Sequence, residues 1–130
     1  MHQPKILVVD DDENILSAFR DFLRKERYGM ITASSAEEAM EHLGQHHVDL
    51  LIADVRLKAQ SGVTLLMEAK RMFPNLRIIV ITGYPDLVNE KDVKAFGADF
   101  FFLKPLDIEK LRGAISICLK QCQMEQRIKV

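Results

Sequence analysis

The sequence has no apolar run approaching the roughly 20 residues that a bilayer-spanning helix requires, and Met1 to Lys5 lacks the basic and apolar parts of a secretion signal. Neither membrane insertion nor export is expected, and a cytoplasmic location follows by default. Charge of one sign is also scarce: the net charge is -1, so no global field draws in nucleic acid or an anionic membrane. Direct nucleic-acid binding is therefore not expected. Cysteine is limited to Cys118 and Cys122, four apart in a segment that reads as helix, where they share a face but cannot reach disulfide geometry. Two free thiols in a reducing compartment are the expectation. No repeat or low-complexity segment interrupts the chain.

What is present is the balance of a soluble globular protein, 48% apolar and 28% charged, in 130 residues, the size of one domain spanning 1–130. Short β-branched runs alternate with longer amphipathic stretches, which predicts an α/β fold with a parallel sheet wrapped by helices. Strands are predicted at Lys5 to Val9, Gly29 to Ala33, Asp49 to Ala53, Arg77 to Ile81 and Asp99 to Leu103. The first, third and fourth are almost wholly apolar and are expected to be buried on both faces.

Ile15, Phe19, Phe22 and Leu23 repeat at helical spacing, as do Ala36, Ala39, Met40 and Leu43. Ser34 and Ser35, followed by Glu37 and Glu38, form overlapping capping boxes that start the second helix, and Gly44 is expected to close it. Further helices are predicted at Val63 to Phe73, ended by Pro74, at Asp86 to Phe96, ended by Gly97, and from Asp107 to about Gln126. Met67 and Met72 read as core.

Ligands of open parallel sheets gather at the carboxyl ends of the strands. There Val8-Val9 runs into Asp10, Asp11 and Asp12; Ile52-Ala53 into Asp54; Ile81 into Thr82; and Leu103 into Lys104-Pro105. Clustered carboxylates repel unless a cation is present, so Asp10, Asp11 and Asp54 together ask for a hard divalent ion. Magnesium fits best, because it prefers oxygen and keeps room for a phosphoryl group. Asp12 and Glu13 read instead as a helix N-terminus favoured by the dipole. His42, His46 and His47 read as exposed helix-end residues and not as a metal site.

The motifs V-V-D-D, D-V-R-L-x-x-x-x-G, I-T-G and L-K-P, in this order and over nearly the whole chain, resemble those of response-regulator receiver domains of two-component signalling. The resemblance implies a flavodoxin-like, doubly wound (βα)5 sheet with strand order 2-1-3-4-5. It implies that Asp54 accepts a phosphoryl group from a sensor histidine kinase or a phosphotransfer protein. Asp10, Asp11, Asp54 and the backbone carbonyl of Arg56 would hold Mg2+, Thr82 would contact the phosphate, Lys104 would pair first with Asp54 and then with the phosphate, and Lys104-Pro105 would be cis. Phe101 would follow the Thr82 hydroxyl inward as the readout, and as a phenylalanine it is expected to favour a buried pose. The partner face would be that of the fourth helix, fifth strand and fifth helix, serving an output domain, another protein or a second copy.

The chain departs from the family at Lys58, where most receivers have proline; Lys58 and Arg56 set two cations beside the pocket or out in solvent. Gly83 leaves space for the phosphoryl group. Tyr84 lies where a side chain can shield the acyl phosphate, so slow self-dephosphorylation is expected. Apart from its own phosphorylation and dephosphorylation, the chain is not expected to be an enzyme. Residues 120–130 form a charged helical run, read as an extension or as a linker to an output domain outside the sequence.

Three other functions compete with this reading. A haloacid-dehalogenase-type phosphatase also uses Asp-x-Asp after a strand, but Asn14 stands where that family has Thr or Val, and the chain is short for a core plus cap. A flavodoxin-like cofactor carrier is disfavoured because three aspartates would repel a flavin phosphate. A phosphorylation-independent interaction domain would have no need of the acidic pocket.

Overall fold

The apolar runs become β1 (Lys5–Val9), β2 (Gly29–Ala33), β3 (Leu50–Asp54), β4 (Arg77–Thr82) and β5 (Phe100–Leu103). Between and after them lie α1 (Glu13–Lys25), α2 (Ala36–Gln45), α3 (Gly62–Met72), α4 (Glu90–Ala95) and α5 (Ile108–Ile128). The structure is a computed structural model; it describes residues 3–55, 62–83 and 90–128, with side chains for 3–55, 63–83 and 91–120. All strand pairs are parallel, in the order β2-β1-β3-β4-β5, as expected. The chain has the flavodoxin-like architecture.

Period-2 alternation divides the core in two. Leu7, Val9, Leu51, Ala53, Ile78 and Val80 face α2, α3 and α4, whereas Ile6, Val8, Leu50, Ile52, Ile79 and Ile81 face α1 and α5. The three central strands are buried on both faces, with only Lys5 and Arg77 at their starts partly exposed. Each fully buried Leu or Ile contributes roughly 1.5–3 kcal/mol, so the interior strands anchor the fold.

The strand starts shift by one residue at Asp49 and Asp99, and the reason is hydrogen bonding. Asp49 donates its N–H to the Lys5 carbonyl (2.9 Å) and accepts the Lys5 N–H on its carboxylate (2.9 Å). Asp99 does the same with Ile78, at 2.7 and 2.8 Å. Both aspartates pin the amino-terminal edge of the sheet instead of entering it. At the other edge, β3 takes in Asp54, paired with Ile81, and β4 takes in Thr82, paired with Leu103.

Helix ends follow local chemistry. Asp12 caps α1 by accepting the Asn14 N–H, and Glu13 sits in the first turn, as the dipole argument requires. Ser35 caps α2 by accepting the Glu38 N–H at 3.1 Å, while the Glu38 carboxylate accepts the N–H of Ser34, so the box closes one residue further back than its simplest form. Gly44 does not close α2: the helix runs on to Gln45 and stops at His46, whose backbone is extended. Of the α4 prediction, residues 86–89 lie outside the described residues. Its end matches, with Gly97 at φ +110 and the Ala98 N–H returning to the Val93 carbonyl.

α1 packs on the sheet as expected, with Leu16 added, whereas the reading of the α3 methionines needs correction. In α1 the buried stripe is Leu16, Phe19 and Leu23, with Ile15 and Phe22 packed at its margin. In α3, Leu65, Leu66 and Ala69 cover the sheet, while Met67 and Met72 are 51% and 52% exposed. Met67 falls off that stripe, and Met72 lies in the last turn, beside α2. Cys118 is buried in α5 and is in no disulfide.

Candidate functional site

The pleat decides which polar residues meet. Asp54 follows Leu50 and Ile52 on the α1/α5 side of β3, and Asp10 continues the row Ile6, Val8 on the same side of β1. Lys104 continues Phe100 and Phe102 of β5 in step. Thr82 and Phe101 have the opposite parity, on the side of α2 to α4, where Phe101 packs half-buried against the core and its strand partner is Val80. Two groups result at a single sheet edge, an ionic one and a Thr/Phe one.

In the ionic group the Lys104 ammonium donates to Asp54 Oδ2 and to Asp10 Oδ2, each at 2.9 Å. Asp10 is fully buried, Asp54 is 4% exposed and the lysine side chain 22%. Asp10 Oδ1 also accepts the Asp12 N–H at 2.9 Å, so both of its oxygens are engaged. Burial pushes the Asp10 carboxyl above the ordinary aspartate range, an effect only partly offset by the Asp12 N–H and by Lys104. For Lys104 burial pulls downward, but hydrogen bonds and charge from Asp10 and Asp54 outweigh it and raise the pKa.

The site is anchored by backbone. Asp10 donates its N–H to the Ala33 carbonyl at 3.1 Å, and Lys104 donates its own to the Thr82 carbonyl at 2.8 Å. Thr82 is fully buried. The Lys104-Pro105 peptide is cis. A Cβ at Gly83 would lie 3.7 Å from Lys104 Cδ, an ordinary contact, so the glycine keeps the rim open beside the lysine stem without being sterically required.

Asp10, Asp11 and Asp54 each offer a carboxylate oxygen, and these lie within 4.8 Å of one another. All three are hard oxygen donors, two of them buried and bridged by Lys104, and this donor chemistry fits a magnesium ion. Among the described residues this is the cluster suited to a metal, and His42 and His46 are not in it. Arg56, Lys58 and Tyr84 lie outside the described residues. Sequence reasoning paired Lys104 with Asp54 and missed its equal bond to Asp10; the matching parity of the two strand ends was the available signal.

A buried acid pair bridged by lysine, with a third acid beside it, thus sits at the carboxyl edge of an open parallel sheet, where ligands of such folds gather. Residues 6–116 match the family model described as the response regulator receiver domain, and the chain belongs to that family, a component of two-component signalling. It is 30% identical over 115 residues to sporulation initiation phosphotransferase F of Bacillus subtilis, covering 88% of this chain and 93% of that protein. It is 31% identical over 121 residues to the transcriptional regulatory protein GlrR of Escherichia coli, covering 92% of this chain but 27% of the regulator. A receiver-domain structure from Clostridium thermocellum superposes with a TM-score of 0.86 at 29% identity, covering 93% of this chain and 98% of that one. The response regulator TrrA of Thermotoga maritima, solved in complex with Mg2+-BeF, gives 0.82 at 28% identity, covering 90% and 100%. No helix among the described residues is long and apolar enough to cross a membrane.

Proposed function

We propose that the chain is a phosphoacceptor receiver in which Asp54 takes a phosphoryl group from the phosphohistidine of a sensor kinase or phosphotransfer protein. The observation that carries this reading is the Asp54 carboxylate held at 2.9 Å by Lys104 within a cluster of three acids. An Asp54 oxygen donates an electron pair to phosphorus as the nitrogen–phosphorus bond of the donor breaks. The released pair stays on the imidazole nitrogen, which takes up a proton from solvent. Asp10 is a poor alternative nucleophile, because it is fully buried and both its oxygens are occupied, and this weighs against the phosphatase reading.

Asp10, Asp11, Asp54 and the Arg56 carbonyl would hold Mg2+, which when bound neutralises negative charge spreading over the phosphoryl oxygens. Lys104 orients Asp54 before transfer and afterwards pairs with the phosphate. Thr82 turns its hydroxyl to a phosphoryl oxygen, and Phe101 reads that movement. Their shared side of adjacent strands supports the coupling. Gly83 leaves the approach open, Lys58 adds a cation near it, and Tyr84 shields the product from water.

Output passes through the α4-β5-α5 face, to a partner protein, an attached domain or a second copy. Phe96, Leu103 and Ile117 keep 38%, 48% and 48% exposure on or next to these elements. α5 runs on to Ile128, past the matched region that ends at residue 116, which supports reading residues 120–130 as a helical extension or a linker toward an output domain. The setting proposed is cytoplasmic.

The test is intact-mass spectrometry after acetyl phosphate and Mg2+. A single phosphoryl adduct is expected on the native chain and none on Asp54→Asn; an undiminished adduct on Asp54→Asn refutes the assignment. Tyr84→Ala is expected to accelerate decay of the adduct, and an unchanged decay rate removes the shielding role.

A further inference from the structure

An open groove of about 510 Å3 runs between α2 and α3, on the side of the sheet away from the α1/α5 ionic group. Its apolar floor is Met40, Leu65 and Met72, and its rim is Glu37, Glu41 and Glu68. Among the described residues no lysine, arginine or histidine lines it. Glu68 is engaged by Arg71 at 2.9 Å from outside the groove, whereas Glu37 and Glu41 are exposed, one helical turn apart on the same side of α2. Met72, which the core has no place for, is 52% exposed here.

Gly44 bears on the same surface. It lies inside α2 four residues beyond Met40, in the row whose Ala36 and Met40 line the groove. A Cβ at Gly44 would meet nothing within 4 Å, so neither packing nor turn geometry accounts for a residue that weakens a helix.

We infer that the α2–α3 groove docks a basic amphipathic helix of a partner protein, its apolar residues on Met40, Leu65 and Met72 and its lysines or arginines against Glu37 and Glu41. Charge complementarity selects this occupant. An acidic helix would meet three carboxylates, and a purely apolar one would leave Glu37 and Glu41 beside it without a cation. Methionine suits the floor because its flexible thioether repacks around differing side chains. The groove spans Thr64 to Met72 along α3, about 12 Å at 1.5 Å per residue, enough for two turns of a bound helix.

The probe is a fluorescein-labelled helical peptide of leucine and lysine, with leucines at i, i+3, i+4 and i+7, and a second peptide with glutamate in place of lysine. Anisotropy titration gives affinity, and amide shifts of the 15N-labelled chain give location. The lysine peptide is expected to bind, with shifts centred on Met40, Leu65 and Met72, weakening as salt rises. The variant Glu37→Lys/Glu41→Lys, changed only at exposed positions, should bind on the order of tenfold more weakly. Asp54→Asn should bind like the native chain, which separates this outcome from failure of the phosphoacceptor reading. No binding, shifts centred on Phe96, Leu103 and Ile117, equal binding of the glutamate peptide, or an unchanged affinity in the charge-reversed variant each overturns the inference.

Discussion

Replacing Lys104 with methionine keeps the aliphatic stem beside Gly83 and removes the one charge that Asp10 and Asp54 share. At 2.9 Å each contact has a gross Coulomb attraction of about 6 kcal/mol at an effective dielectric near 20. Most of that is offset by desolvation, and breaking a buried pair costs about 3–5 kcal/mol in practice. Because the lysine side chain is 22% exposed, water at the rim reduces the expected loss to about 2–3 kcal/mol. In urea this lowers the midpoint by about 1–2 M for an m-value near 1.5 kcal/mol/M. Two further measurements isolate the cause. Millimolar MgCl2 should recover part of the loss, since a cation again sits among the acids, and Lys104→Met/Asp54→Asn should be more stable than Lys104→Met alone. The raised lysine pKa means the difference between native chain and variant is present at neutral pH and is lost only as pH climbs through that raised value. A loss under about 0.5 kcal/mol, with no recovery in the double variant, would refute the claim that the lysine holds the acid pair together.

Arg27 occupies the left-handed position after α1 at φ 64, with the Tyr28 N–H returning to the Leu23 carbonyl, so Arg27→Gly should gain about 1 kcal/mol and raise Tm by about 3–5 °C in a thermal melt. The reverse change at the end of α4, Gly97→Ala, meets both φ +110 and a Cβ only 2.8 Å from Lys70 Cγ, and should lose about 1–2 kcal/mol in the same assay. The Ser34 N–H, chiefly, holds the Glu38 carboxyl below the ordinary glutamate range. Glu38 therefore stabilises fully above its unfolded pKa, and that contribution drains away as pH falls through its lowered folded value. Glu38→Gln should flatten this part of the acid limb in urea titrations, and an unaltered limb would count against the capping role.

The strand rim was legible because a parallel sheet with both faces covered writes its interior as apolar runs, and a polar residue ending such a run stands out. Asp10, Asp54, Thr82 and Lys104 were all visible that way. The entry aspartates were not: Asp49 and Asp99 read as strand because nothing local distinguishes a carboxylate in a ladder from one that accepts the neighbouring strand's N–H. Met67 and Met72 misled because apolar identity does not say which side of a helix a residue takes. Gly44 misled for a related reason, since a helix can run through glycine when tertiary contacts elsewhere hold it.

By itself, then, the sequence determined the alternation of strand and helix, the burial of three central strands and the chemical identity of the rim, all consequences of short-range periodicity and burial. Only the tertiary structure decided which of those rim residues touch. The register of β1, β3 and β5 places Asp10, Asp54 and Lys104 on one side of the sheet and leaves Thr82 with Phe101 on the other. That partition depends on pairings between residues up to 94 positions apart, which no local pattern encodes.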